Sequence, residues 1–290
     1  MNKLNVCKIT REIVSNCLYE TLSELLKQTT QFSEVQLCDN WLAKIRTHKN
    51  IFPDGWYTPP PHGVIVLFGT DDDIKRVSTA SMRPQEFWPN DDIFFDKNKG
   101  IMFLYFSAVD KQTGIIGDFG MSLYFGKIQK IKDHLKLCFE LDKKIFDYAQ
   151  VGMRLSDITK FVINLYQKHN LTNNIASSTD PTGTNVGHTI PVSYEDWNEE
   201  ELKILKNAES NWQTVADMIS KKRKFENIQE TLQIKPGMAI TIEPRPSVLN
   251  DPTIPMVYFH TIALFKEDGT KELLTNFDKI LNLVKMDYIT

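Results

Sequence analysis

The 290-residue sequence predicts an α+β fold in which two similar halves pack helices outside a curved antiparallel sheet. Three observations predict it. Hydrophobic periodicities run in the order helix, helix, hairpin, then helix, helix, strands. Phe32-Ser33-Glu34 and Leu155-Ser156-Asp157 occupy matching places in the two halves, which marks a weak internal duplication and not a short-period solenoid. No linker divides the halves, so residues 1–290 are expected to form one domain with a cleft where the halves meet. An insertion at about 70–99 and the absence of a separate N-terminal domain complete that expectation.

Each element has its own signal. Ile13, Val14, Cys17, Leu18, Leu22, Leu25 and Leu26 form one apolar stripe at helical spacing between Ile9 and Lys27. A second helix is expected from Ser33 as cap to Arg46. Residues 51–63, rich in Pro and Gly, must be a shaped loop, and Val64–Phe68 a short buried strand. The polar stretch 70–99 carries Pro84 and Pro89. Residues 101–109 and the segment from Ile116 to Gly126 read as a hairpin around a Lys-Gln-Thr-Gly turn. Helices are expected at about 130–150 and 156–169, the second capped by Ser156, then a helical region near 195–222. Strands at 238–243 and 256–265 close on a turn at Glu267-Asp268-Gly269.

The composition excludes several function classes. A 41% hydrophobic content is ample for a core, and 24% charged residues with a net charge of −3 give no electrostatic reason for nucleic acid or an anionic membrane as partner. The basic run Lys221-Lys222-Arg223-Lys224 is expected to be a solvated segment. Cys7, Cys17, Cys38 and Cys138 are scattered, which argues against a disulfide scaffold or zinc ribbon and for reduced thiols in the cytoplasm. The N-terminal residues lack the apolar core of a signal peptide, and no apolar run approaches the roughly 20 residues that span a bilayer. The expected partners are a small-molecule or peptide substrate and a second copy in a homodimer.

Three short segments set acidic or histidine residues in apolar or glycine-rich surroundings: Gly117-Asp118-Phe119-Gly120, Gly187-His188-Thr189-Ile190-Pro191, and the run from Lys235-Pro236-Gly237 to Glu243-Pro244. A carboxylate in a central strand is costly unless it is paired, hydrogen-bonded or bound to a cation. Period-two alternation puts Glu243 on one face with Thr241 and Ala239. Asp118, His188 and Glu243 together suit a hard or borderline divalent ion.

In order and spacing these motifs, with Tyr258-Phe259-His260-Thr261-Ile262, resemble the creatinase, methionine aminopeptidase and prolidase family over residues 9–280. The resemblance implies the pita-bread fold, an aminopeptidase-like hydrolase and a metal set of Asp118, His188 and Glu243. Two ligands of the family's two-metal site are missing. Counting eleven back from Asp118 gives Ser107, and the position before His260 is Phe259; neither side chain is an anionic ligand. The remaining charges balance one divalent ion (manganese, zinc, iron or cobalt), not two.

The resemblance also puts His62 on the substrate side of the cleft as a catalytic or binding histidine beside catalytic His188; Arg245, just after Glu243-Pro244, is placed to clamp a substrate carboxylate. Ser107 and Phe259 are expected to face the cleft. His260 is expected to point away from it, unless a bulge swings it into the lost ligand's place as a substrate-binding group. His48, His134 and His169 read as surface residues, and Trp56-Tyr57 as core or cleft wall. Three functions are implied: a hydrolase of a peptide or small amide C–N bond with at most one ion; a creatinase-like, metal-independent C–N hydrolase with His188 as acid and base; and a catalytically inactive binding protein. The last two need no metal.

Overall fold

In a computed structural model, which describes residues 2–28, 30–173, 179–208 and 212–289, the helices line up much as the apolar stripes dictate. Helix α1 spans Lys3–Leu25, and its stripe of Val14, Leu18, Leu22 and Leu25 is fully buried. Helix α2, Glu34–Arg46, starts on a reciprocal cap: Ser33 Oγ accepts from Gln36 N while Gln36 accepts from Ser33 N. Helices α3 (Gln129–Tyr148) and α4 (Leu155–Lys168) repeat the arrangement in the second half. Helix α4 starts at Leu155, so Ser156 lies inside its first turn and is not its cap; Asp157 instead receives the N–H of Arg154. Among the described residues, a short helix α5 (Pro191–Tyr194) precedes the region expected at 195–222, which holds α6 (Glu199–Lys206) and α7 (Trp212–Lys222).

The sheet is antiparallel throughout. Strands β1 (Val64–Thr70), β2 (Gly100–Phe106), β3 (Phe119–Tyr124), β7 (Phe259–Phe265) and β5 (Ala239–Ile242) lie side by side in that order, and β8 (Lys271–Leu274) also pairs with β7. A separate ribbon joins β4 (Leu171–Asn173) to β6 (Pro246–Val248), and α8 (Asp278–Leu283) follows the sheet. Strand β3 therefore meets β7 in the middle of the sheet, joining one hairpin to the other. Two apolar clusters pack on it: a large one gathers α1, α2, β1–β3 and the first part of α3, and a smaller one gathers the rest of α3, α4 and the alternate residues Ile240, Ile242, Ala263 and Phe265 of β5 and β7. All four cysteines are buried and unpaired, and no helix among the described residues is long and apolar enough to cross a membrane.

Register decides which face each side chain takes. Gly120 pairs with both Tyr105 and His260, and Thr241 pairs with Ile262. Because alternate residues share a face, Tyr105, Asp118, His260 and Thr241 stand on one side of the sheet. Phe259, paired with Met121, takes the other side and packs on Phe139 of α3 and Phe277, at 5.2 and 5.6 Å between ring centres. The expected orientations of Phe259 and His260 are thus both reversed. No bulge is needed, because the pairing of Thr241 with Ile262 already sets His260 on Thr241's face.

The segment 70–99 has little regular structure, and a buried ion pair fastens it. The fully buried carboxylate of Glu34 accepts from the backbone of Phe68 (2.6 Å) and Asn90 (3.0 Å) and from Nε and Nη2 of Arg76 (both 2.8 Å). Arg76→Met is expected to cost about 3–5 kcal/mol in urea unfolding, because it leaves a buried charge without its counterion. A midpoint equal to wild type would show that Glu34 sheds its charge at no cost.

Candidate active site

Asp118 sits one residue before β3, fully buried. Its Oδ1 accepts from Trp56 Nε1 at 2.9 Å and its Oδ2 from the Tyr105 hydroxyl at 3.0 Å. His188 lies in an extended stretch bridged to β5 through Thr189 and Ile240, and its backbone is tied to Thr241 in both directions at 2.8 Å. Its Nδ1 donates to the Thr189 carbonyl at 2.9 Å, which leaves the Nε2 lone pair facing the site. Nε2 is 3.3 Å from Glu243 Oε1 and 3.9 Å from Asp118 Oδ2. Glu243 follows β5 directly and accepts from Thr241 Oγ1 and from the Tyr258 hydroxyl, each at 3.2 Å. His260 Nε2 lies 3.8 Å from Glu243 Oε2, and one ligand atom from each of Asp118, His188 and His260 falls within 4.8 Å of the others.

Burial dominates the electrostatics. It lifts the Asp118 carboxyl to about 8, against the opposing hydrogen bond from Trp56, and pushes His188 down to about 3 with help from the Arg223 charge. Burial also raises Glu243, although Arg223 counteracts it, and drives His260 well below its usual range beside Arg11. Glu226, fully buried with no hydrogen-bond partner on either carboxyl oxygen among the described residues, is raised strongly by burial and by Glu243. A cavity of about 30 Å³, lined by Tyr57, Tyr105, His188, Arg223, Glu243 and Tyr258 among others, reaches His188 and Glu243. That is room for about two water molecules. A larger open groove of about 760 Å³ lies at the start of α1, but its Lys3 and Lys8 are paired with Asp196 and Glu272. The convergent chemistry is in the small cavity.

A family model for metallopeptidase family M24 matches residues 5–269. The chain belongs to that family. No curated protein matches this M24 chain by sequence. Among solved structures it is similar to an X-Pro aminopeptidase from Thermotoga maritima MSB8 (TM-score 0.60, 11% identity, covering 94% of this chain and 60% of that one). It is likewise similar to the prolidase from Pyrococcus horikoshii OT3 (0.55, 12%, 92% and 61%) and to the methionine aminopeptidase from Rickettsia prowazekii (0.59, 15%, 94% and 96%). At these identities the likeness is one of fold, the pita-bread fold. The M24 chain spans about three fifths of the X-Pro aminopeptidase and prolidase structures and nearly all of the methionine aminopeptidase.

M24 membership implies divalent metal, and the donor set can be tested for it. Tetrahedral ligands at about 2.1 Å from an ion stand about 3.4 Å apart. The 3.3 and 3.9 Å separations of His188 Nε2 from Glu243 and Asp118 are of that scale, and Asp118, His188 and His260 each bring one ligand atom within 4.8 Å of the others, so the donors suit a divalent ion at His188, which carries the backbone-anchored Nδ1–H usual for a ligand. The hydroxyl of Ser107, expected to face the cleft, is taken up by the neighbouring loop: it accepts from Tyr57 N at 2.9 Å and donates to the Gly63 carbonyl at 3.1 Å. Gly55 and Gly63 press so closely on it that a Cβ at either would come within 2.2 or 2.5 Å of Oγ. Trp56, carried by the same loop, stands edge-on to His188 with ring centres 5.7 Å apart.

Two of the expected substrate residues are not at the cavity. His62 lies on the surface in a left-handed conformation (φ 58°), with Nδ1 3.0 Å from Asp54 and 3.3 Å from Arg46; the loop turns Trp56 inward in its place. Arg245 is buried against Phe103, donates to the Thr79 carbonyl at 2.6 Å, and does not line the cavity. His134, expected at the surface, is buried beside Cys138. In the basic run, Arg223 is buried as well: it stacks on Trp56 and Phe225 and forms part of the cavity wall. Sequence reasoning passed over Arg223 because its neighbours carry the same charge. It also passed over Tyr105 and Tyr258, whose hydroxyls are invisible in an apolar strand pattern, and Arg11, one polar residue on a long helix.

Proposed function

We propose that this chain is a hydrolase that cleaves the C–N bond of a peptide or small amide with no more than one divalent ion. The observation that carries the reading is that the Asp118 and Glu243 carboxylates flank His188 Nε2 at 3.9 and 3.3 Å in buried surroundings, each group with its outer atoms already oriented. Bound there, an ion would supply an activated water and polarise a carbonyl. The protein's own groups do the rest. Trp56 and Tyr105 aim Asp118, Thr189 fixes the His188 tautomer, and Tyr258 and Thr241 hold Glu243 at the cavity, where it is placed to take up a proton. Arg223 balances that carboxylate.

Elemental analysis of protein purified without added metal, joined to amide-hydrolysis assays with and without chelator, tests the reading. At most one ion per chain is expected, lost in His188→Ala together with about 10²-fold or more of the activity. Two tightly held ions would overturn it, as would the absence of hydrolysis with any of manganese, zinc, iron or cobalt. One observation favours the metal-independent alternative: both Asp118 oxygens already accept neutral hydrogen bonds. Hydrolysis that survives exhaustive chelation would select it.

A further inference from the structure

His260 is the one imidazole in the site whose outer nitrogen meets a donor. Arg11 crosses from α1 beneath the sheet, fully buried, and every arm of its guanidinium is engaged. Nε donates to Asn276 Oδ1 at 3.1 Å, Nη2 to the carbonyls of His260 and Thr275 (2.5 and 2.8 Å), and Nη1 to the carbonyl of Asp118. Nη1 also lies 3.3 Å from His260 Nδ1. A guanidinium has N–H donors and no acceptor. His260 Nδ1 must therefore be the acceptor, without a proton, and the ring's single proton belongs on Nε2. That nitrogen is buried, has no hydrogen-bond partner among the described residues, and points into the site beside Glu243. His188 is the opposite tautomer, with its proton held outside by a carbonyl and its lone pair inside.

We propose that His260 is a fixed hydrogen-bond donor to the carbonyl oxygen of a bound amide, held in its Nε2–H tautomer by Arg11, and that it is not a metal ligand. The inference rests on the hydrolase reading for the identity of the acceptor, not for the tautomer. When water adds to the amide carbon, the carbonyl π electrons move onto oxygen, and Nε2–H steadies that charge while keeping its own proton. A second cation is then not needed at that oxygen. Arg11 is a positioning residue: it acts on the site only through the tautomer and placement of His260.

Imidazole ¹⁵N NMR on the labelled wild-type chain reads the tautomer directly. His260 should appear as Nε2–H and His188 as Nδ1–H, and titration with Zn²⁺ should move the Nε2 resonance of His188 alone. An Nδ1–H form of His260, or zinc bound to its Nε2, would overturn the proposal. In Arg11→Met the constraint is gone, so His260 should populate the other tautomer and begin to respond to zinc; Arg11→Lys, which keeps a donor, should not. The wild-type spectrum decides the tautomer even if both variants fail to fold. Kinetically, His260→Leu should lower kcat for amide hydrolysis by about 10²–10³-fold, while His260→Gln, which retains an N–H donor, should recover a substantial part. Equal losses in the two variants would sink the donor role. A wild type that never hydrolyses an amide would overturn the hydrolase reading and with it the acceptor, whereas the tautomer assignment would stand or fall on the spectra.

Discussion

Ser107→Asp combined with Phe259→Glu, the change that rewrites the missing family ligands into this chain, is expected to destabilise it by more than about 5 kcal/mol and to create no second metal site. Phe259 does not face the cleft. It is fully buried between Phe139 and Phe277 on the helix side of the sheet. Truncating such a ring costs about 3–5 kcal/mol, and a carboxylate put there in its place has no donor to meet it. Asp at 107 would also displace the loop that closes on Ser107, because Gly55 and Gly63 leave no room beyond the hydroxyl. Lifting that loop would draw Trp56 off Asp118. Urea unfolding and metal content measured on the two single variants and the double variant check this. A double variant that unfolds at the wild-type midpoint and holds two ions per chain would show that the register of β7 is wrong.

The same register explains what could be read in advance. The order of helices and strands and the family were legible, as was the placing of Asp118 and Glu243 on either side of His188 Nε2 at 3.9 and 3.3 Å, because apolar periodicity and short motifs encode them locally. The two faces of β7 were not. The family pattern places a ligand one residue before the histidine, and reasoning from that pattern turned Phe259 inward. What decides the matter is which residue of β5 lies opposite Ile262, a pairing between segments about twenty residues apart that no local pattern records. His62 failed for a related reason. The loop at 51–63 offers one histidine and one tryptophan to the interior, and the choice between them depends on the left-handed turn at His62 and the fit of Trp56 against Asp118. Arg11 and Arg223 were illegible because a buried arginine is defined by its acceptors, which come from distant parts of the chain: Asp118, His260 and Thr275 for Arg11, and Thr179 for one arm of Arg223.

In metal-free protein, Asp118 is expected to make stability fall as pH rises from about 4 to about 8. Unfolded, its carboxyl ionises near 3.8; folded, burial holds the proton on up to about 8. Between those values the folded chain binds one proton more than the unfolded chain, so raising the pH favours unfolding by about 1.4 kcal/mol per unit. His188 acts in the opposite direction over a lower window. Its folded value near 3 lies below the ordinary 6.5, so the unfolded chain binds the extra proton there, and stability is lost as pH falls from 6.5. Above 6.5 the His188 contribution is flat and the Asp118 slope remains. Asp118→Asn isolates it, because the amide oxygen can still accept from Trp56 and the amide N–H can donate to the Tyr105 hydroxyl. With chelator present, wild type should lose about 2–3 kcal/mol relative to Asp118→Asn between pH 6 and pH 8. A saturating divalent ion should flatten or reverse that loss in the wild type, since an ion that binds only the folded state with Asp118 ionised stabilises it more as pH rises. Parallel pH profiles for the two proteins without metal would show that Asp118 is already ionised in the folded state, with its charge balanced by Trp56, Tyr105 and the neighbouring arginines.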